Sequence, residues 1–403
     1  MKSKFRVDRF VLIMLCLANV LNFFVPRYAT DGNYVLRLPV QAVNGAILIA
    51  VLTSLLFYKK DSFKSVFGYI FVFIAIIIVG WIYAFLNLEL SNSILFSVIR
   101  LLSWMACLVF FATKIQFDEN IVKSIKFFII TFLLVAAKKV FESAKFADEE
   151  LSGGDIAGLT LVLALPIIFL FFEAKARLFI TLATVVLILI TLRRTAIIAL
   201  VLSLPFIYKD VKTQLKPVHI FILFLLSIIT IVVAWNFLGE ALTYRFSNLL
   251  EGDQSYQEDS YGSGRSIFYK IVFDGWAESE TPQLLFGHGI GSVSELLKLK
   301  YYDIKHSHND ILEVLYTFGL FGCFVWSMIM FKLWKLRHAV KKYIPHRINI
   351  YYMSYLSFLI VSLTSGSFYR IEMIVFSIVI GTLMFEIRKS MMIKKNKNNQ
   401  LSF

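Results

Sequence analysis

A histidine and several arginines stand out among the few polar stretches of this 403-residue chain. His308 lies where a polar segment ends and the next apolar segment begins. A neutral imidazole near pH 7 can accept the proton of a hydroxyl, so His308 is a candidate general base for activating a sugar hydroxyl. A histidine at a helix start can also be only a cap or a hydrogen-bonded surface residue. Its position alone leaves both interpretations open.

Arginines in unexpected places indicate an anionic ligand. Arg193 and Arg194 fall in a turn of a few residues between two apolar segments, and Arg265 opens a predicted helix in a polar segment. Arg100 lies about seven residues inside an apolar segment, hence roughly 10 Å deep at 1.5 Å per residue. An arginine at that depth is costly and is by default a functional candidate. The alternative for the Arg193 and Arg194 pair is snorkelling towards lipid headgroups.

Membrane helices must position these residues. The chain is 58% apolar with a mean hydropathy of +0.74, and about twenty apolar residues cross a roughly 30 Å hydrocarbon layer. We therefore predict an all-α, polytopic integral membrane protein, a single domain over 1–403, with about twelve transmembrane helices. The predicted spans are 10–25, 38–57, 65–86, 93–112, 121–141, 156–172, 178–192, 195–208, 218–238, 309–331, 348–365 and 370–387.

The distribution of basic residues predicts orientation, because cytoplasmic loops retain Lys and Arg. Both termini are predicted to be cytoplasmic. Residues 239–307 are then a large periplasmic loop with short helices, between the ninth and tenth spans, and 388–403 a basic cytoplasmic tail, expected to be disordered. The net charge of +14 reflects this topology and an attraction to anionic lipids. Nucleic acid is not a predicted partner, since the basic residues do not line one face.

Two patterns predict local structure inside the loop. Residues Arg265–Trp276 carry apolar side chains at helical spacing, which predicts an amphipathic helix lying along the membrane surface. Gly287, Gly289 and Gly291 are spaced as in a phosphate-binding loop, but no Lys-Ser follows them. A tight turn is therefore the favoured interpretation.

The segment after the loop resembles the signature of the O-antigen polymerase and O-antigen ligase superfamily. That signature is a histidine, then Asn, Ser or Gln, nine residues and Gly-x-x-Gly, here His308, Asn309, Gly319 and Gly322. The resemblance covers roughly residues 153–385.

The arginine segments are similar to the family in kind and order. Arg194 stands at the arginine position of a Ser-Arg-Thr/Gly segment, with Arg193 replacing the serine. Gly264-Arg265 and the glycine turn at 287–291 also match.

The resemblance implies a glycosyltransferase at the periplasmic face of a bacterial inner membrane, without metal or other cofactor. The donor would be an undecaprenyl-diphosphate-linked oligosaccharide. In this reading His308 is the catalytic base, and Arg194, Arg265 and Arg193 bind the diphosphate. This agrees with the residues, because arginines can neutralise a departing diphosphate without a cation. The further candidates for substrate binding are Arg100, Asn309 and Glu313.

The acceptor distinguishes two activities within lipopolysaccharide or related polysaccharide biosynthesis. A polymerase uses another lipid-linked repeat unit, and a ligase uses the lipid A core. We favour the polymerase, because the loop is compact and Asp310 and Glu313 continue the motif as in polymerases; a chain-length regulator protein is then a candidate partner. A lipid-linked oligosaccharide transporter ranks third. Arg100 would suit its cationic cavity, but no internal symmetry is visible.

Overall fold

The computed structural model describes residues 6–24, 34–56, 64–87, 92–115, 117–145, 157–191, 193–212, 265–300, 307–366, 368 and 372–401, and no strand occurs among them. The helices before the large loop are α1 (Val7–Phe24), α2 (Tyr34–Leu56), α3 (Lys64–Asn87), α4 (Asn92–Thr113), α5 (Glu119–Lys145), α6 (Ala157–Phe171), α7 (Ala174–Ile190) and α8 (Arg194–Lys212). Those that follow are α9 (Arg265–Ala277), α10 (Thr281–Phe286), α11 (Ser292–Lys300), α12 (Asp310–Tyr343), α13 (Ile348–Thr364) and α14 (Met373–Leu401).

The predicted all-α class is confirmed for the described residues. Every predicted span except 218–238, which lies outside them, coincides with a helix. In the part of the chain that the structure describes, four helices are long and apolar enough to cross a membrane, namely Val7–Phe24, Leu95–Thr113, Glu119–Glu142 and Asp310–Tyr343. Shorter apolar helices occupy Pro39–Thr53, Phe67–Tyr83 and Ala157–Phe171. The count of twelve spans and the periplasmic loop stay predictions.

The expectation of a disordered tail is wrong for residues 388–401. Helix α14 continues through them to Leu401. The segment contains neither Gly nor Pro, and its lysines and methionines lose little rotamer freedom in a helix. Nothing therefore ends the helix where the apolar stretch ends.

Helix α6 lies at the centre of the described bundle. Residues 157–170 are all buried, as expected for a helix that is apolar on every side. Its neighbours are α5, α7, α8, α13 and α14. An aromatic cluster connects α3, α4 and α12: Trp326 lies 5.4 Å from Phe73, 6.0 Å from Trp104 and 5.4 Å from Phe368, measured between ring centroids. This cluster supports the segment that follows α13.

Helix α12 is broken at Gly319, the first glycine of the Gly-x-x-Gly motif. Gly319 has φ 66° and ψ −167°, so the helix hydrogen bonds around it are interrupted. The carbonyls of Tyr316 and Thr317 accept instead from the backbone N–H groups of His288 and Gly289, each at 2.9 Å. The glycine turn of the large loop therefore replaces the missing helix partners.

Glycine is required on both sides of this contact. A Cβ on Gly287, whose φ is 80°, would lie 2.3 Å from the carbonyl oxygen of Thr317. A Cβ on Gly319 would lie 2.4 Å from the carbonyl oxygen of Leu285. Neither the left-handed backbone nor the close approach accommodates a side chain. The expected tight turn at Gly287 is present, and its backbone packs against the break in α12.

The apolar face of α9 lies against protein. Its residue Val272 is buried with Val293, Leu297 and Tyr316, and Phe268, Ile271, Trp276, Leu296 and Leu312 pack around them. The expectation that this face lies on the membrane surface is wrong for these residues. Amphipathicity indicates that one face is covered, and here α11 and the first turns of α12 cover it.

We predict that Gly287→Ala destabilises the docked turn, because the new methyl group meets the Thr317 carbonyl at a left-handed position. Overpacking of this kind costs about 1–3 kcal/mol. Purified protein in detergent should show a lower apparent melting temperature and faster proteolytic cleavage within 265–300. Gly68→Ala is the matched control, since a Cβ there meets nothing within 4 Å. Equal behaviour of the two variants would contradict the docking.

Candidate functional site

His308 has a strained backbone. Its φ is 60°, and it is the non-glycine residue with positive φ among the described residues. A left-handed conformation of this kind costs on the order of 1–3 kcal/mol and persists only where the surroundings impose it. The side chain is partly exposed. Strain at a partly exposed histidine before a helix is typical of a functional position.

Glu313 holds the residue before His308. The backbone N–H of Ser307 donates to Oε2 of Glu313 at 3.0 Å, and the Ser307 hydroxyl lies 2.9 Å from the same oxygen. Both residues are buried. The carboxylate thus offsets part of its burial by accepting from a backbone donor and a hydroxyl.

Asn309 and Asp310, which follow His308, connect its turn to the end of α13 by hydrogen bonds. Asn309 caps α12, accepting at Oδ1 from the backbone N–H groups of Ile311 (2.9 Å) and Leu312 (3.3 Å), while its Nδ2 donates to the Leu363 carbonyl at 3.2 Å. Oδ1 of the buried Asp310 accepts from the backbone N–H of Phe368 at 2.9 Å. Hydrogen bonds from Asn309 and Asp310 therefore hold the His308 turn against the end of α13 and the residues that follow it.

Arg193 meets the same end of α13. Its Nη2 lies 3.5 Å from Oγ of Ser365, and that hydroxyl donates to Oγ1 of Thr195 at 3.3 Å. The next residue, Gly366, lies against the histidine turn, because a Cβ built on it would be 3.6 Å from Cα of His308. Arg193 and His308 therefore lie next to two consecutive residues, Ser365 and Gly366, at the end of α13.

Arg194 is the first residue of α8, directly after Arg193. Its side chain is partly exposed and makes no hydrogen bond or ion pair with another residue in the described part of the chain. A guanidinium in this position has donors available for an anion. Arg265 is the first residue of α9, as predicted, but its side chain lies outside what the structure describes, as does His306.

Arg100 faces the same end of the bundle. It lies one helical turn before Trp104 on α4, so both side chains share a helix face. The Trp104 indole N–H donates to the carbonyl of Phe368 at 3.3 Å, and the N–H of Phe368 donates to Asp310. Arg100 is therefore placed on the side of α4 that leads to the histidine turn.

The opposite end of the bundle differs from this site, because its arginines form ion pairs with carboxylates. Arg177, at the start of α7, binds Asp210, near the end of α8, at 2.8 Å, and Arg347 binds Glu386 at 3.3 Å. These arginines are neutralised by carboxylates within the protein. Arg194, at the start of α8, makes no ion pair with an acidic residue in the described part of the chain, which leaves it suited to an external anion.

His288, in the glycine turn, was not singled out from the sequence. Its ring stacks on Tyr316 with centroids 4.4 Å apart, and its Nε2 lies 2.7 Å from the Ser279 hydroxyl. These contacts indicate a packing role for His288, in contrast to the partly exposed His308.

The arrangement offers a proton acceptor and guanidinium groups around one turn of backbone. Among the described residues no group of three or more His, Cys, Asp or Glu side chains could hold a metal ion. The chemistry available to these residues is proton transfer at His308 and charge neutralisation at Arg193 and Arg194.

Comparison with known families finds a match to part of the chain. Residues 178–327 match a family model described as O-antigen ligase, a range that contains both the arginine turn and His308. A comparison with curated proteins finds no match. The matched segment is similar to O-antigen ligases, and this similarity supports the predicted resemblance to the superfamily of O-antigen ligases and polymerases, whose members transfer glycans.

Proposed function

We propose that this chain is a metal-independent glycosyltransferase that moves a glycan from undecaprenyl diphosphate to a sugar hydroxyl at the periplasmic face of the inner membrane, and that it polymerises O-antigen or related repeat units. The observation that carries the proposal is the convergence of His308 and Arg193 on Ser365 and Gly366 at the end of α13. The family match supports the reaction class, and the apolar helices support a multi-pass membrane protein.

The reaction follows from these groups. The acceptor hydroxyl attacks the anomeric carbon of the donor sugar while the bond from that carbon to the diphosphate oxygen breaks. His308 accepts the hydroxyl proton, and the electron pair of the broken bond leaves with the diphosphate. Arg193, Arg194 and Arg265 neutralise the growing charge on the departing oxygen, which is where preorganised cations lower the barrier most.

Burial and existing hydrogen bonds distinguish the remaining candidate residues as positioning or substrate-binding residues. Glu313 is 4% exposed and already accepts from Ser307, so we assign it to positioning the His308 turn. Asn309 is occupied by the cap and by Leu363, and we assign it the same role. Arg100, which is partly exposed, keeps the assignment to substrate binding.

The ligase activity is the second candidate, and the description of the matching family as O-antigen ligase favours it. The same base and arginines would serve, with the lipid A core in place of a lipid-linked repeat unit as acceptor. A chain-length regulator would be a partner only of the polymerase.

Deletion of the gene in its host distinguishes the two activities. We expect surface polysaccharide run on a gel to lose its long chains while a single repeat attached to the core remains, because ligation does not need polymerisation. Complementation with the intact gene should restore the ladder. Absence of all glycan from the lipid A core would instead identify a ligase, and an unchanged ladder would contradict both.

Arg194→Ala should abolish polysaccharide formation in that complementation assay while membrane levels of the protein stay normal. Arg194→Lys should restore it only in part, because an ammonium cannot make the bidentate contact of a guanidinium with phosphate. Arg337→Ala is the control, since Arg337 stacks on Trp334 in the second half of α12, away from the site. Normal polymer from Arg194→Ala would remove this residue from the site.

His308→Ala should lower the transfer rate of purified protein by about 10²- to 10⁴-fold, the usual effect of losing a general base, while binding of lipid-linked donor is retained. His308→Asn should be equally inactive although Asn tolerates a left-handed backbone, which separates loss of the base from loss of the turn. His338→Ala, on the same helix, is the control, and His306→Ala should also be active. EDTA should leave the wild type unchanged.

Two results would overturn this mechanism. Near-normal turnover by either His308 variant would require another base. Inhibition of the wild type by EDTA, reversed by added divalent cation, would require a metal.

A further inference from the structure

The large loop, residues 239–307, contains a stretch of fourteen residues without charge. Residues 281–294 include no Asp, Glu, Lys or Arg, although Glu278 and Glu280 precede them and Glu295 follows. The stretch comprises α10, the glycine turn and the start of α11. A charge-free segment within a charged loop calls for an apolar environment.

Helix α12 gives the depth of this stretch in the bundle. The backbone at Leu285 and Phe286 approaches Gly319 so closely that a Cβ there would lie 2.4 to 2.5 Å from it. The uncharged part of α12 extends over residues 314–331. Gly319 and Phe321 therefore lie about 8 to 10 Å inside the outer end of that uncharged part, at 1.5 Å per residue.

Helix α3 gives the same depth independently. Gly80 lies seven residues before the end of α3 at Asn87, hence about 10 Å inside it. A Cβ on Gly80 would lie 2.8 Å from the Phe318 ring and 3.8 Å from the side chain of Ile290. Ile290 is fully buried in the main core. The glycine turn is thus packed between two apolar helices, well below their ends.

The backbone of the turn is hydrogen-bonded as an apolar environment demands. The N–H of Gly287 donates to the carbonyl of Gln283 at 2.7 Å, and those of His288 and Gly289 donate to α12. The Gly289 carbonyl accepts from the Ser292 hydroxyl at 2.7 Å. Irregular backbone is tolerated at membrane depth where protein pairs its polar groups in this way.

The outward side of the stretch is apolar and continues the surface of α12. Phe286 is 66% exposed, and its ring lies 6.4 Å from that of Phe321. Leu285, Leu320, Phe321 and Phe324 are also exposed around it. On α12, which is long and apolar enough to cross a membrane, such residues face lipid. The same surroundings therefore extend to Phe286.

We propose that residues 281–291 re-enter the membrane from the large loop and that Leu285 and Phe286 contact the acyl chains of one leaflet. The bilayer itself is the partner, because the surface is uncharged, lies at the depth of Gly319 and is continuous with the lipid-facing side of α12. This inference does not depend on the reaction catalysed.

Spin labelling in proteoliposomes tests the location directly. Cys16, Cys107 and Cys323 are first replaced by alanine, and single cysteines are then introduced as Phe286→Cys, Phe324→Cys and Leu299→Cys. Phe324 is the lipid-facing reference at 60% exposure, and Leu299 the aqueous reference at 86% exposure, since Lys298 and Lys300 flank it. Collision rates with oxygen report lipid, and those with a water-soluble nickel chelate report solvent.

We expect the oxygen-to-nickel ratio at position 286 to equal that at 324 and to exceed that at 299 by severalfold. Leu285→Cys, 43% exposed, provides a second site if the Phe286 variant does not fold, and the same ratio is expected there. A ratio at 286 or 285 equal to that at 299 would overturn the re-entrant placement, even with transfer activity unchanged.

Discussion

The pairing of backbone N–H and carbonyl groups within apolar surroundings is the constraint on which this structure depends. An unpaired buried amide or carbonyl costs several kcal/mol in hydrocarbon, so a break in a membrane helix needs replacement partners. At Gly319 the loop supplies them through His288 and Gly289. These hydrogen bonds, which the unpaired carbonyls of α12 require, therefore fix the loop to the bundle. The first turns of α12, from Asp310 to Phe318, become a separate short helix bounded by the site at one end and the break at the other.

The strain at His308 is sustained from three sides. Glu313 binds the preceding residue, Asn309 caps the following helix, and Asp310 holds the backbone beyond α13. Each is a polar contact buried or partly buried in an apolar bundle, where hydrogen bonds to charged groups contribute more than they do in water. The consecutive polar residues after the histidine thus have a common role, to maintain a conformation that the backbone would not adopt alone.

Much of the helical framework could be predicted from the sequence, because runs such as 65–86 and 93–112 contain nothing that ends a helix. The break in α12 could not be placed in this way, since Gly319 lies in an uninterrupted apolar stretch and glycines are common inside membrane helices. Amphipathicity predicted helix α9 but not that α11 and α12 would cover its apolar face. The histidine motif and the arginine turn identified candidate residues, whereas the meeting of Arg193 and His308 depends on Ser365 and Gly366, which no sequence pattern singled out.

The adjacency of Ser365 and Gly366 restricts how this protein can change in evolution. Ser365 lies within reach of the arginine turn, and Gly366 lies against the histidine turn, so two residues joined by one peptide unit lie against both turns. Substitutions at these positions alter the strength of either contact. An insertion or deletion of one residue would shift the two contacts out of register.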